Sequence, residues 1–161
     1  METIDESQEP FGFAPEEIDT AAPTRSARLK WVIVVNEALP AGRAANAVAC
    51  VAASVSSRTR GLLGPDAVDA SGATHSGLPW AGCTILTATA AQLTAIREKA
   101  SGSEAVLVAD MPAEAQSTRV YDEYLAAVAD TSSDALEYYA VSLVGPRNRI
   151  DRIVNRLPLM P

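Results

Sequence analysis

Four polar side chains in this sequence have the types and positions that could support chemistry: Asp110, His75, Arg43 and Asn46. Asp110 follows an apolar run, and open α/β sheets usually bind ligands where such strands end. A carboxylate at that point could act as a general acid or base. The imidazole of His75 could do the same, because it titrates near neutrality. Asp110 and His75 are therefore the predicted catalytic residues.

Arg43 and Asn46 stand three residues apart near the predicted start of the first helix, so they share one face of it. The free N–H groups of a helix N-terminus already favour anions, and Arg43 could add its charge to hold a phosphate or carboxylate. Asn46 is mildly unfavourable inside a helix, which suggests that its amide serves a ligand crevice. We predict that Arg43 and Asn46 bind the ligand and that all four residues converge on one crevice.

Each of the four residues also has a plainer interpretation. Asp110 could cap the turn before Pro112, and His75 could be an incidental loop residue. Arg43 could be simply solvated or pair with Asp110, and Asn46 could be tolerated at the surface. Both interpretations stay open at the level of the sequence.

The sequence predicts neither a metal site nor a cofactor. Cys50 and Cys83 are the only cysteines and lack metal-type spacing, and a single histidine cannot complete a zinc site with them without carboxylates. The glycines match neither a Walker nor a dinucleotide pattern. We expect both thiols to be reduced and buried in a cytoplasmic protein.

Four apolar runs separated by amphipathic segments predict an α/β domain with a small sheet and helices on its faces. The predicted strands are residues 31–35, 83–88, 104–109 and 138–144. The first run contains no polar residue, which is typical of a central strand. Residues 58–81 are rich in glycine and proline and predict a long loop, which carries His75.

The first 26 residues differ sharply in composition from the rest of the chain. Residues 1–24 hold seven acids and no lysine or arginine, so they account for the whole net charge of −7. We expect residues 1–26 to be a disordered tail and residues 27–161 to form the domain. The balanced charge of that domain does not favour a nucleic-acid partner, although it leaves one open. No signal peptide or membrane-spanning stretch is expected.

Both ends of the domain resemble type II peptidyl-tRNA hydrolases. At the start, the resemblance lies in the strand 30–35 and the turn 39–43. At the end, it lies in Gly145–Pro146, in residues 150–154 and in residues 157–160. The chain is more similar still to a family of uncharacterised bacterial proteins with that fold, which carry an asparagine at the position of Asn46. The resemblance implies a mixed four-stranded sheet with helices on both faces.

The chain departs from the hydrolases at the residues that matter for their activity. Their first helix begins with a glycine-lysine-glycine-lysine run, where this sequence has Arg43 in place of the first lysine and Ala45 in place of the second, which is implicated in catalysis. A glutamine one turn later is replaced by Ala49. Where their third strand is followed by a threonine, this chain has Glu114. Of the family's pattern, Asp110 and a cation at Arg43 remain.

These observations predict a repurposed domain that binds a small anionic ligand in a crevice beside the first helix. Two alternatives remain: an active peptidyl-tRNA hydrolase, and a protein-interaction module without a catalytic site. Self-association as a homodimer is also left open. Whether the protein is an enzyme is not decided by its sequence.

Overall fold

The computed structural model describes residues 10–161. Residues 1–9 of the predicted tail lie outside the described residues. The regular elements, in chain order, are β1 (Leu29–Asn36), α1 (Ala41–Arg58), β2 (Ala67–Val68), β3 (Thr74–His75), β4 (Thr84–Ala88), α2 (Ala90–Ser101), β5 (Leu107–Pro112), α3 (Glu114–Ser117), α4 (Tyr121–Ala129), β6 (Tyr138–Pro146) and α5 (Arg147–Ile153).

Four of the strands form one mixed sheet in the order β4-β1-β6-β5. β1 is parallel to β4 and antiparallel to β6, while β5 is antiparallel to β6. The prediction of a four-stranded mixed sheet is confirmed, and β1 lies inside it as expected. Its side chains are buried on both faces, which is why its sequence lacks the polar alternation of a solvent-facing strand.

Helices cover both faces of the sheet, as predicted. On one face, Trp31, Ile33 and Val35 of β1 pack in a core with α1, which contributes Ala47 and Val51. The alternate residues of β1 pack on the other face with α2 and α5 in a second core. Alanines in α1 let that helix approach the sheet closely, so few aromatic residues are needed to fill the interior.

The third strand of the prediction is displaced along the sequence. It was expected at residues 104–109, but β5 runs from Leu107 to Pro112 because the chain turns at Ala105, which has a φ of 60°. Asp110 therefore lies inside the strand, opposite Val141 of β6, and not at the end of the strand. β5 is also an edge strand of the sheet.

Residues 10–26 are packed against the domain, which corrects that part of the predicted disordered tail. Phe13 is 1% exposed and belongs to the core on the α1 side of the sheet. The backbone of Phe13 donates to the Arg60 carbonyl at 2.8 Å. Glu17 is paired with Arg28, and this hydrogen-bonded ion pair lowers the pKa of the Glu17 carboxyl to about 2. We call residues 10–26 the N-terminal strap. The apolar contacts of its two phenylalanines help to offset the conformational entropy that this otherwise polar segment loses on ordering.

The long loop 58–81 contains a short hairpin, β2–β3, that the sequence did not reveal. Cys50 and Cys83 are exposed, so the expectation of buried thiols was wrong. The protein packed around the Cys83 thiol nevertheless raises its pKa to about 12 by desolvation. Cys50 is on the outward side of α1, whose buried face is formed by other residues, including Ala47 and Val51.

The segment after α5 lies along the free edge of β4. The backbone of Thr87 donates to the Pro158 carbonyl at 3.0 Å, and that of Met160 donates to the Ile85 carbonyl at 3.0 Å. Residues 158–160 thus continue the hydrogen bonding of the sheet beyond β4. Within residues 10–161, no helix is both long and apolar enough to cross a membrane.

Candidate functional site

The carboxylate of Asp110 points to the α2 side of the sheet. Its neighbours Ala109 and Met111 belong to the core on the α1 side, and side chains alternate between the faces of a strand. Arg97 of α2 donates from Nε to Oδ2 of Asp110 at 3.1 Å. The Arg97 guanidinium also lies 5.6 Å from the centroid of the Tyr138 ring. Asp110 is therefore held in an ion pair, and its partner is Arg97 and not Arg43.

The side chain of Asn46 is oriented by a glutamine of α3. Gln116 donates from Nε2 to the Arg43 carbonyl at 2.9 Å and to Oδ1 of Asn46 at 3.1 Å. The Arg43 carbonyl can only accept a hydrogen bond, so the amide nitrogen of Gln116 must face it. The same nitrogen also faces the Asn46 side chain, which must therefore present its carbonyl oxygen. The Asn46 carboxamide thus accepts from Gln116 with its oxygen, and its two N–H donors remain for another partner.

Asn46 borders an open groove of about 740 Å³ between α1 and the chain leading into α4. One wall is α1, where Asn46, Cys50 and Ser54 follow one another at four-residue intervals. Eight residues of helix at about 1.5 Å each make this wall roughly 12 Å long. The opposite wall is formed by residues 118–121 and Tyr124, and β5 contributes Asp110 and Met111 at the base.

The groove lining contains one cation and one carboxylate, together with several side chains that can donate hydrogen bonds. Arg119 lines it and, among residues 10–161, has no carboxylate within ion-pair distance. The carboxylate of Asp110, on the α2 side of the sheet, is engaged by Arg97. Burial raises the pKa of the Tyr124 phenol, and the nearby Tyr121, Asp110 and Glu114 add to the effect. The Tyr124 hydroxyl therefore stays protonated at neutral pH and is available as a donor.

Of the four predicted site residues, the structure brings Asn46 and Asp110 to one groove, but from opposite faces of the sheet. Arg43 is exposed in the first turn of α1 and is not among the groove residues. His75 lies in the β2–β3 hairpin, where Nε2 is 3.1 Å from Oδ2 of Asp69. The prediction that all four converge is wrong, because β5 directs Asp110 toward α2 and the hairpin carries His75 elsewhere.

His75 instead borders a second hollow of about 380 Å³ between the hairpin loop and the N-terminal strap. It is 62% exposed, so water surrounds much of the imidazole. The hydrogen bond with His75 is the main cause of the lowered pKa of Asp69, and backbone N–H groups of the loop add to it. Asp69 and His75 thus stabilise the conformation of the loop that joins β2 to β3.

The sequence analysis missed five residues of the site: Arg97, Gln116, Arg119, Tyr121 and Tyr124. Val120, Tyr121, Tyr124, Leu125 and Val128 have the spacing of one helix face, but α4 has no buried residue. Tyr121 and Tyr124 border the groove instead. Nothing in the sequence paired Arg97 with Asp110.

Within residues 10–161, no three His, Cys, Asp or Glu side chains lie close enough to one another to hold a metal ion. Among the same residues, three buried side-chain oxygens or hydroxyls have no hydrogen-bond partner, and two of them belong to Glu114 and Gln116 of α3. These two atoms lie in the short helix that orients Asn46, next to the groove.

This arrangement defines a small mixed α/β domain with a groove beside the edge of its sheet. A solved structure of a protein of unknown function from Agrobacterium tumefaciens strain C58 has the same fold, with a TM-score of 0.78, at 15% sequence identity. The similarity covers 83% of this chain and 98% of that one. Residues 29–161 match the family described as "Protein of unknown function (DUF2000)", and the chain belongs to this family. No curated protein matches the sequence significantly.

Proposed function

We propose that this protein binds a small molecule with an anionic group in the groove between α1 and α4. The observation that carries the proposal is that two groove side chains have hydrogen-bond donors without a partner among the described residues. Arg119 is a cation without a described ion-pair partner, and Asn46 directs its N–H donors away from Gln116. The one carboxylate of the lining, Asp110, is already paired with Arg97.

A groove with these properties favours a carboxylate or phosphate over a cation. An arginine fork and an amide each donate to oxygens of an anion, and hydrogen bonds that involve a charged group are the stronger ones. The half-buried phenol of Tyr124 adds a neutral donor. The proposal therefore keeps Asn46 as a ligand residue, replaces Arg43 by Arg119, and assigns no catalytic role to Asp110 or His75.

We further infer that the scaffold is a repurposed type II peptidyl-tRNA hydrolase fold. The support comes from the sequence at both ends of the domain, including Gly145–Pro146, and from the mixed four-stranded sheet. Ala45 and Ala49 are exposed on α1, at the positions where the hydrolases carry a lysine and a glutamine. Exposed methyl groups leave nothing at these positions to bind or polarise an ester.

Replacing Arg119 by glutamine is expected to weaken the binding of small carboxylates and phosphates more than tenfold. Loss of one hydrogen-bonded charge contributes roughly 1.5–3 kcal/mol, and about 1.4 kcal/mol corresponds to tenfold in Kd. The measurement is the ligand-induced rise in melting temperature over a panel of these anions, followed by calorimetric titration of those that stabilise the protein.

The matched control is Arg152→Gln, because Arg152 is an exposed arginine of α5 on the opposite face of the sheet. This variant should bind the same anions as the native protein. If both variants weaken anion binding equally, the effect comes from the net charge of the protein and not from the position of Arg119 in the groove. A panel in which no anion raises the melting temperature contradicts the proposed function itself.

We expect negligible peptidyl-tRNA hydrolysis. The physical reason is the absence of polar groups at Ala45 and Ala49, together with the position of Arg43, the nearby cation of α1, outside the groove lining. Release of a labelled peptide from peptidyl-tRNA measures the reaction, with an active type II hydrolase as the reference. Turnover near that of the reference would favour the alternative function, an active hydrolase.

A second candidate function is a protein-interaction module. It is favoured by the apolar surface of α4 and the residue before it, where Val120 is 53% exposed and Leu125 is 50% exposed. Such residues could support a homodimer. Sedimentation velocity during the anion titrations distinguishes self-association from ligand binding.

A further inference from the structure

An exposed aromatic residue lies at the mouth of the groove. Tyr121 is 73% exposed, and its ring centroid is 5.4 Å from that of Tyr124, with the rings tilted by 60°. Both tyrosines line the groove. Tilted rings at this distance leave no space for a ligand between them, so the contact that Tyr121 still offers is its open surface toward the groove.

The groove is much larger than an anion. Its volume of about 740 Å³ is in the range of sites that hold organic molecules, roughly 300–1,000 Å³. A bare carboxylate or phosphate would fill a small part of it and would leave the apolar lining in water. Ala53 and Ala115 contribute to that lining, while Val51 and Met111, which also border the groove, are almost fully buried.

From these two observations we infer that the ligand carries a planar aromatic ring in addition to its anionic group. This inference rests on the proposed function, because it describes the rest of the same ligand. Arg119 lies two residues before Tyr121, so the cation and the open ring are neighbours on one wall. An aromatic carboxylate or an aryl phosphate presents an anion and a ring at that spacing.

The ring has a specific complement in this groove. Aromatic rings prefer offset-stacked or edge-to-face contacts, and the surface of Tyr121 allows either. The other apolar side chains of the lining offer the ring further contact away from water. A flexible aliphatic acid of similar size would lose more rotational freedom on binding and would gain no stacking contact.

Calorimetric titration with acetate, benzoate, inorganic phosphate and phenyl phosphate tests the inference on the full-length protein. We expect benzoate and phenyl phosphate to bind at least tenfold more tightly than their ring-free counterparts. Tyr121→Ala should remove most of this preference, while Tyr121→Phe should retain it. Leu125→Ala is the control, since Leu125 is exposed on the same helix but outside the groove lining.

The outcomes separate the two proposals. If acetate and phosphate bind as tightly as the aromatic anions, or if Tyr121→Ala leaves the preference unchanged, the ring inference is overturned and the anion proposal stands. If none of the four compounds binds, the proposed function fails, and the ring inference fails with it. A preference that also disappears in Leu125→Ala would place the aromatic contact outside the groove and overturn the inference.

Discussion

Replacing Phe13 by alanine should lower the free energy of unfolding by about 3–5 kcal/mol, the usual range for truncating a fully buried phenylalanine. The Phe13 ring is in the core on the α1 side of the sheet and lies 4.8 Å, centroid to centroid, from the ring of Trp80. Its removal would leave a cavity between the N-terminal strap and the long loop. Equilibrium unfolding in urea measures the loss.

Phe11→Ala is the matched control, because it makes the same chemical change two residues away in a half-buried position. Its effect should be clearly smaller. A chain that begins at Ala27 lacks the whole strap and should be destabilised at least as much as Phe13→Ala. If that shortened chain unfolds like the native protein, the strap does not contribute to stability and the packing of Phe13 has been misjudged.

Replacing Gly77 by alanine should disrupt the long loop and lower the free energy of unfolding by about 3 kcal/mol, the upper end of the usual cost of overpacking. A Cβ atom at Gly77 would lie 2.0 Å from the carbonyl oxygen of Gly64. That oxygen belongs to the backbone, so no side-chain rotation relieves the contact. The two arms of the loop would separate, and the hydrogen bond from Gly64 to the Leu78 carbonyl at 2.8 Å would weaken.

The control for this substitution is Gly42→Ala in the first turn of α1, where a Cβ atom meets nothing within 4 Å. Alanine is favoured over glycine in a helix by up to about 1 kcal/mol, so this variant should be neutral or slightly more stable. Urea unfolding gives the sign of each change, and amide hydrogen exchange locates the disturbed residues. Equal and small effects of both variants would mean that the loop has room to shift.

The sheet was predictable because its signal is local. β1 and β6 are mostly apolar and almost fully buried, and strands of this kind differ clearly in sequence from the amphipathic helices between them. The end of β5 was harder to place, since the turn at Ala105 depends on a left-handed backbone conformation that alanine rarely adopts. A shift of three residues there was enough to move Asp110 from the end of the strand to its middle.

The strap was mispredicted for a different reason. Its overall composition resembles that of a disordered segment, and a compositional argument averages over the residues that matter. Two phenylalanines and one ion pair, Glu17 with Arg28, hold it to the domain. The partners of these residues are distant in sequence, so no local sequence pattern predicts these contacts.

The candidate site shows the same division between local and distant information. Asn46 was found because an asparagine inside a helix calls for an explanation. Gln116, which orients it, is 70 residues away, and Arg97 reaches Asp110 from another helix. Spacing within a helix predicts which side chains share a face, but it does not predict which element will pack beside that face.

The segment that follows α5 has a consequence for association between copies of this chain. Exposed strand edges offer unpaired N–H and C=O groups, on which a second chain can add a strand. Residues 158–160 occupy these groups on Ile85 and Thr87 of β4. Each molecule thereby blocks the β4 edge of its own sheet as a template for intermolecular β-pairing, and it does so with three residues that form no regular element themselves.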